Sequence, residues 1–210
     1  MILFNLRTRA AIIAALAFAA PALAQPIPTV AAQPGQATTP VAAGTYQVDP
    51  MHTQVAWEVN HMGFTMLEGM FPVSAGALTI DPANLKAAKV SVTMQIDQLV
   101  VTAAPFANHL KSAEIFDAAN NPTATFVSTS VTPTGKGKAT IAGTLTIKGV
   151  AKPVTLQATF MGAGENPVAK QANIGFSATG TIKRSDFGLG LYAPLVSDTV
   201  ALHINAAFAK

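Results

Sequence analysis

Four histidines are the side chains of this 210-residue sequence best suited to acid–base chemistry or metal binding: His52, His61, His109 and His203. No two of them have the i,i+4 spacing that helical metal sites use. His52 and His61 are nine residues apart in predicted strands, so their side chains point to opposite faces. We therefore predict no metal site. His109 lies on a predicted helix, where it either donates a hydrogen bond to a ligand's polar end or holds a loop.

Arg184 is the cation with the clearest local pattern, because it follows Lys183 and precedes Asp186. A guanidinium binds a phosphate or another polar head group through two parallel hydrogen bonds, so Arg184 is a candidate ligand-binding residue. The alternative is a structural salt bridge from Arg184 to Asp186 or Asp198. The sequence leaves both open.

Motifs of hydrolases and phosphate-binding enzymes are absent. There is no Gly-x-Ser-x-Gly, and the Ser-Asp pairs at Ser185 and Ser197 lack a neighbouring histidine base. The segment 135–138 (GKGK) is typical of a hairpin turn rather than a phosphate loop. The sequence contains no cysteine, which excludes disulfides and thiolate sites. We predict a protein that is not an enzyme, with no catalytic residues and no cofactor.

The charge of the chain argues against nucleic-acid binding. The formal charge is +3, with 13 Lys and Arg against 10 Asp and Glu, and two of the basic residues are Arg7 and Arg9. Without these two, 11 basic residues face 10 acidic ones, which leaves +1. Affinity for nucleic acid depends on how many phosphates are neutralised, so a nearly neutral domain is a poor candidate.

The first 44 residues are predicted to lie outside the folded domain. Residues 1–24 combine Arg7 and Arg9, an apolar run over 10–20 and Ala-Leu-Ala before residue 25, which is the layout of a secretory signal peptide cleaved after Ala24. Residues 25–44 contain four prolines and no charge, which predicts a disordered linker. The domain then covers 45–210, and the signal peptide predicts its export.

Alternating apolar residues predict an all-β domain from residue 45 onwards. The predicted strands lie near 45–49, 52–61, 64–80, 88–97, 123–131, 138–148, 152–161, 172–184 and 199–209, and the first two are alternatively one bent strand, which gives about eight. One helix is predicted over 105–116. An antiparallel barrel of about eight strands has no exposed edges and holds either packed side chains or one ligand. A β-sandwich is the competing architecture.

Small residues on the apolar strand faces favour a cavity in such a barrel, although close packing explains them equally well. They are Ala75, Ala77, Gly143, Ala158, Ala178, Gly180 and Ala206.

Three segments in this order resemble the YceI family, also described as lipid- or polyisoprenoid-binding YceI-like proteins. The first is YQVDPMHT at 46–53 with Val55-x-Trp57-x-Val59-x-His61-x-Gly63-Phe64 and Gly69-x-Phe71; the second is HLKS at 109–112 with Phe116-Asp117 and Pro122-x-Ala124-x-Phe126; the third joins GTLTIKGV at 143–150 and KPV at 152–154 to RSDFG at 184–188 and Val196-Ser197-Asp198. Together they span residues 46–208. The sequence departs from the family's pattern before His109, where charged residues are usual, and at Ile115, where an aromatic residue is usual.

The resemblance implies an extended, lipocalin-like antiparallel β-barrel with one short helix near its opening. It implies a periplasmic carrier of a long-chain isoprenoid or another apolar lipid, and it allows a possible homodimer. Because no anchor is predicted for the mature domain, we expect the membrane contact of such a carrier to be transient. The candidate ligand-binding residues are Trp57, Phe71, Met94, His109, Phe126, Phe176 and Arg184. The alternatives are an enzyme that acts on a lipid head group at the barrel mouth, and a solid barrel that serves as a stress or envelope interaction module.

Overall fold

The structure is a computed structural model that describes residues 33–36 and 40–210. Its strands are β1 (Gly44–Val48), β2 (Gln54–His61), β3 (Thr65–Ile80), β4 (Lys89–Gln95), β5 (Thr123–Gly135), β6 (Lys138–Ile147), β7 (Val150–Glu165), β8 (Ala172–Lys183) and β9 (Thr199–Ala209), and its helix is α1 (Ala104–Lys111). Short 3₁₀ turns lie at Pro34–Gln36, Leu85–Ala87 and Arg184–Phe187. The predicted signal peptide and most of the predicted linker lie outside the described residues. Within 33–36 and 40–210, no helix is long and apolar enough to cross a membrane.

The strands close into one antiparallel barrel. Each strand from β2 to β8 pairs with the next strand in the sequence, including β3 with β4. The pairing of β2 with β9 then closes the barrel. β1 does not add a ninth position, because it pairs with the end of β3 and the end of β9, directly above β2. The barrel wall therefore has eight strand positions, and β1 and β2 together fill one of them. This confirms the predicted all-β barrel with one helix, and the sandwich alternative is wrong.

The break between β1 and β2 is repaired by a side chain. Thr53 is a buried polar residue at this break, and its Oγ1 donates to the carbonyl of Ala207 and accepts from the amide of Ala207, both at 3.0 Å. The hydroxyl thus satisfies backbone groups of β9 that have no strand partner at this point. The amide of Asp49 also donates to the Ala207 carbonyl, at 2.8 Å.

A kink in β3 changes which residues face the interior. The register shifts between Val73 and Ala75, and Gly76 follows with a φ of 153°. A side chain at Gly76 would meet the Ser91 carbonyl, so the neighbouring strand approaches closely there. After the kink Leu78 is buried while Ala75 is exposed. The expectation that Ala75 lies on the inner face is therefore wrong, because strand alternation restarts at the irregularity.

Helix α1 is shorter than the predicted 105–116. It ends at Lys111, and Ser112 already has an extended backbone. The amide of Phe116 donates to the Leu110 carbonyl at 3.1 Å, and the amide of Ala118 donates to the Lys111 carbonyl at 3.1 Å. These bonds satisfy carbonyls at the helix end and turn the chain towards β5.

Candidate ligand cavity

The barrel encloses a cavity of about 490 Å³. All eight positions of the wall contribute inward-facing side chains, and α1 with the loop 184–198 covers one end. From the strands the lining comprises Val55, Trp57, Val59, His61, Leu67, Phe71, Leu78, Val90, Val92, Met94, Ala124, Phe126, Ile141, Leu145, Ile147, Val154, Leu156, Ala158, Phe176, Ala178, Ile182, Val200, Leu202, Ile204, Ala206 and Phe208. The remainder comes from the connecting segments: Met62, Ile96, Phe106, His109, Leu110, Ile115, Phe116, Arg184, Leu189, Leu191, Tyr192 and Val196.

The lining is almost entirely apolar. Polar groups come from His61, His109, Arg184, Tyr192 and the indole N–H of Trp57, and among the described residues no Asp or Glu lines the cavity. Apolar cavities of this kind stay free of ordered water and bind apolar molecules. The interior is therefore suited to a hydrocarbon ligand.

The cavity brings together every residue that the sequence singled out for ligand binding. The seven are Trp57, Phe71, Met94, His109, Phe126, Phe176 and Arg184. Their contact with a ligand stays a prediction. Sequence reasoning missed the contribution of the loop 189–196, because it carries no strand or helix period and no recognised motif.

Two aromatic contacts shape the wall beside α1. Trp57 lies opposite Gly69 in the β2–β3 register, and a side chain at Gly69 would overlap the indole ring. The Trp57 and Phe71 ring centroids are 6.3 Å apart, and Phe71 meets the edge of Phe116 at 5.5 Å. The glycine thus lets the largest side chain of the chain lie against the wall, which leaves the centre open.

The small inner-face residues fall into two groups. Gly143 and Gly180 leave no free space, because the ring of Phe126 and the side chain of Leu156 occupy the positions that their side chains would take. The alanines at 158, 178 and 206 line the cavity directly. The argument from small residues to a cavity is therefore right for these alanines and wrong for the two glycines.

The cavity opens at one end of the barrel. Of its lining residues, Met62, Leu191 and Tyr192 are exposed, with 45, 38 and 50% of their surface in solvent. Met62 lies in the turn after β2, and the other two lie in the loop between β8 and β9. We call this end the mouth and the opposite one the far end.

The Arg184 side chain holds the β8–β9 loop at the mouth through hydrogen bonds. Its Nε donates to the Ser197 carbonyl at 2.8 Å, its Nη2 to the Val196 carbonyl at 2.7 Å, and its Nη1 to the carbonyls of Leu189 and Leu191. Four of its five N–H groups are thus engaged by backbone. Burial lowers the pKa of Arg184, and the charge of Asp198 partly offsets this effect.

The salt bridge considered for Arg184 is replaced by this set of carbonyl bonds. Asp198 instead accepts from the amide of Ser185 at 2.8 Å and from its hydroxyl at 2.7 Å. These two hydrogen bonds lower the pKa of Asp198, with smaller effects from Arg184 and Lys183. Arg184 lies at the cavity as predicted, but its main partners are the loop that it holds.

Two further contacts hold the other side of the mouth. The Lys148 ammonium donates to the Ile115 carbonyl at 2.8 Å and to the Ala113 carbonyl at 3.3 Å, which ties the segment after α1 to the β6–β7 turn. The ring centroids of His109 and Tyr192 are 6.1 Å apart. The mouth is thus framed by two segments that meet at these rings.

Among the described residues, one histidine has a carboxylate partner. His52 Nδ1 lies 2.6 Å from Asp49 Oδ2, but this exposed pair belongs to the β1–β2 break and does not line the cavity. Within 33–36 and 40–210, no group of three or more His, Asp or Glu residues could hold a metal ion.

Comparison with known proteins identifies the family. The sequence model of the YceI-like domain matches residues 46–208. The chain belongs to the YceI-like family. A UPF0312 protein of Pseudomonas putida is 38% identical over 149 residues, which cover 70% of this chain and 77% of that protein. A UPF0312 protein of Vibrio cholerae is 34% identical over 165 residues, covering 78% and 87%.

Solved YceI-like structures share the barrel. BcnA of Burkholderia cenocepacia matches with a TM-score of 0.68 and 27% identity, over 76% of this chain and 98% of that one. The Campylobacter jejuni YceI protein matches with a TM-score of 0.63 and 30% identity, over 72% and 89%. A polyisoprenoid binding domain from Saccharophagus degradans matches with a TM-score of 0.55, over 80% and 99%, and at 12% identity it shows the fold alone.

Proposed function

We propose that this YceI-like protein binds a long apolar chain, an isoprenoid or a similar lipid, inside the barrel. The observation that carries the proposal is the cavity of about 490 Å³ whose lining is hydrocarbon, aromatic or thioether except for the polar groups of five side chains. The solid-barrel alternative does not fit such an interior. The Saccharophagus degradans domain, whose description names polyisoprenoid binding, supports the same ligand class for this chain.

The volume sets the size of the ligand. An apolar cavity of about 150 Å³ holds benzene, with its six carbons, so about 490 Å³ holds roughly 20 carbons. Burial of each CH₂ contributes about 0.8 kcal/mol, and association and ordering of the chain offset a large part of the sum. Micromolar or tighter affinity follows for a chain of 15 to 20 carbons, on the order of −8 kcal/mol.

We also propose that the protein acts as a carrier in the periplasm, without catalysis. The periplasmic role is supported by the signal-peptide pattern of residues 1–24. A binding role without catalysis is supported by the lining, since His109 and His61 face a cavity to which no described carboxylate contributes.

The first experiment identifies the bound molecule. The protein is purified from its own cell envelope without detergent, extracted with organic solvent and analysed by mass spectrometry. We expect a stoichiometric apolar chain of about 15 to 20 carbons in the barrel, from the volume argument. A bare polypeptide mass in native mass spectrometry, together with an empty extract, would contradict the proposal.

A titration gives the affinity in the same protein. The chain contains one tryptophan, Trp57, and this residue lines the cavity. Its fluorescence is therefore expected to change when a ligand enters. Prenyl alcohols of 10, 15 and 20 carbons, delivered from cyclodextrin, are expected to bind with increasing affinity, and an affinity independent of chain length would argue against burial in the cavity.

A further inference from the structure

One side of the mouth carries a cluster of exposed apolar side chains. Met62, Phe64, Leu191, Tyr192 and Leu195 form this set, which we call the apolar rim. Phe64 is 85% exposed and Leu195 is 63% exposed. Single exposed apolar residues are ordinary on protein surfaces, but a cluster around an opening marks an interaction site.

The rim is a fixed surface. The β2–β3 turn places Met62 and Gly63 at φ values of 56° and 75°, the left-handed pair of a tight hairpin turn. The Met62 amide then donates to the Leu195 carbonyl at 2.9 Å, which joins the hairpin to the β8–β9 loop. Arg184 binds that loop from below through four carbonyls. The apolar side chains are therefore presented in one stable arrangement.

The segments that carry the rim have no charge. Residues 59–67 (VNHMGFTML) and 187–197 (FGLGLYAPLVS) contain no Asp, Glu, Lys or Arg. A surface that enters the membrane interface must leave bulk water, which is costly for charged groups and favourable for Phe, Leu, Met and Tyr. The composition of the two segments suits that environment.

We propose that the apolar rim docks on a lipid bilayer, so that the ligand passes between membrane and cavity without crossing water. The inference rests on the proposed function and adds its partner surface. It follows from continuity, because Met62, Leu191 and Tyr192 each line the cavity and also face solvent at the rim. A second copy seated on the rim would cover the mouth, whereas a bilayer extends the apolar lining outward.

The test compares two double variants. Phe64→Ser with Leu195→Ser removes the most exposed rim side chains. Met51→Ser with Val168→Ser removes side chains that are 87% and 90% exposed elsewhere on the barrel and serves as the matched control. Each protein is sedimented with phosphatidylcholine vesicles, and each is titrated with the 20-carbon prenyl alcohol delivered from cyclodextrin.

We expect the unmodified protein and the control to bind vesicles and the rim variant to bind about tenfold less, because two inserted side chains are lost. Affinity for the cyclodextrin-delivered alcohol is expected to stay unchanged in all three. Binding to these neutral vesicles is also expected to withstand added salt, since no charge pairs are involved.

Three results would overturn the docking proposal. They are failure of the unmodified protein to bind vesicles, equal loss in the rim and control variants, and a dimer that the rim variant alone converts to monomer without any vesicle binding. In each case intact uptake of the alcohol would leave the proposed function standing. Failure of the alcohol to bind any of the proteins would instead overturn the proposed function.

Discussion

The two ends of the barrel differ in how charge is distributed over their connecting segments. At the mouth, the charged Arg184 and Lys148 lie beside two uncharged segments. At the mouth, the segments 59–67 and 187–197 are free of Asp, Glu, Lys and Arg. At the far end, the connections 81–88, 133–138 and 165–172 each contain at least one of these residues. The two uncharged segments at the mouth therefore have no counterpart among these three connections at the far end.

The ends also differ in how their loops are held. Arg184 binds four carbonyls of the mouth loop, and the loop gains its shape from this half-buried cation. The far-end loop 165–172 has the ion pair Lys170–Glu165 at 4.0 Å, with both side chains largely exposed. Hydrogen bonds of a charged donor away from water are worth more than an exposed ion pair. The Arg184 hydrogen bonds are therefore expected to stabilise the mouth more than this ion pair stabilises the far end.

The largest effect is expected from a substitution that fills the far end of the cavity. Ala206 lines the cavity opposite Phe176, so Ala206→Trp places an indole where the chain would end. If about five carbons are displaced, the loss is about 4 kcal/mol, or roughly a thousandfold in affinity for a 20-carbon chain. A 10-carbon chain held near the mouth is expected to lose little. Tryptophan-independent calorimetric titration measures both.

The matched control puts the same substitution on the outside. Ala151 is exposed on β7, and Ala151→Trp is expected to leave both affinities unchanged. Thermal melting of the two variants verifies that each remains folded. Equal losses for the short and the long chain in Ala206→Trp would show that the ligand does not reach the far end.

The next effect concerns the stability of the mouth. Arg184→Met leaves four carbonyls of a partly buried loop without their donor, which costs about 3 kcal/mol of unfolding free energy. Lys170→Met at the far end is expected to cost less than about 0.5 kcal/mol, because the ion pair is exposed. Urea denaturation measures the unfolding free energy of both variants. Similar losses of stability in the two variants would show that the ends of the barrel are not held differently.

The barrel could be predicted from the sequence because apolar residues alternate along long stretches of its strands. β8 and β9, for example, place Ile174, Phe176 and Ile204 on one face, and period-2 patterning requires no knowledge of distant residues. The resemblance to the YceI family added the order of the motifs and the position of α1. The lining aromatic residues followed from these two sources together.

The mouth could not be predicted in the same way. The four partners of Arg184 are backbone carbonyls. Because every residue has a carbonyl, no pattern of side chains in the sequence indicates which ones Arg184 binds. In the sequence, Lys148 stands out only as part of the GTLTIKGV motif, although it ties the β6–β7 turn to the segment after α1. The kink at Gly76 likewise reversed the expected direction of Ala75, because alternation holds only within an unbroken register.

A smaller effect is expected at the other side of the mouth. Lys148→Met removes the donor for the Ile115 and Ala113 carbonyls, at a cost of about 1 kcal/mol in unfolding free energy. Lys138→Met, at the exposed far-end start of β6, is the control and is expected to change stability by less than about 0.5 kcal/mol. We expect amide hydrogen exchange at residues 112–116 to be faster in Lys148→Met and unchanged in Lys138→Met. Unchanged exchange at these residues in Lys148→Met would contradict the prediction.

The smallest expected effect is a pH dependence at the mouth. The hydroxyl and the amide of Ser185 lower the pKa of Asp198 below its ordinary value. A carboxyl with a lowered folded-state pKa stabilises the fold above its unfolded-state pKa of about 4, and this contribution is lost as the pH falls through the folded-state value. Ser185→Ala removes the largest cause, so the variant is expected to be less stable by under about 1 kcal/mol at pH 6, since Asp198 is exposed to solvent screening.

Because the folded-state pKa of Asp198 is lowered, the difference in unfolding free energy between the unmodified protein and Ser185→Ala is expected to shrink as the pH falls below about 4. Urea midpoints at a series of pH values measure it, and Ser130→Ala, at an exposed position on β5, is the control with no expected pH dependence. A difference that stays constant down to acid pH would mean that the Ser185 hydroxyl stabilises the loop without its bond to the Asp198 carboxylate. In that case Arg184 alone, and not a pair of charged groups, would distinguish the mouth from the far end.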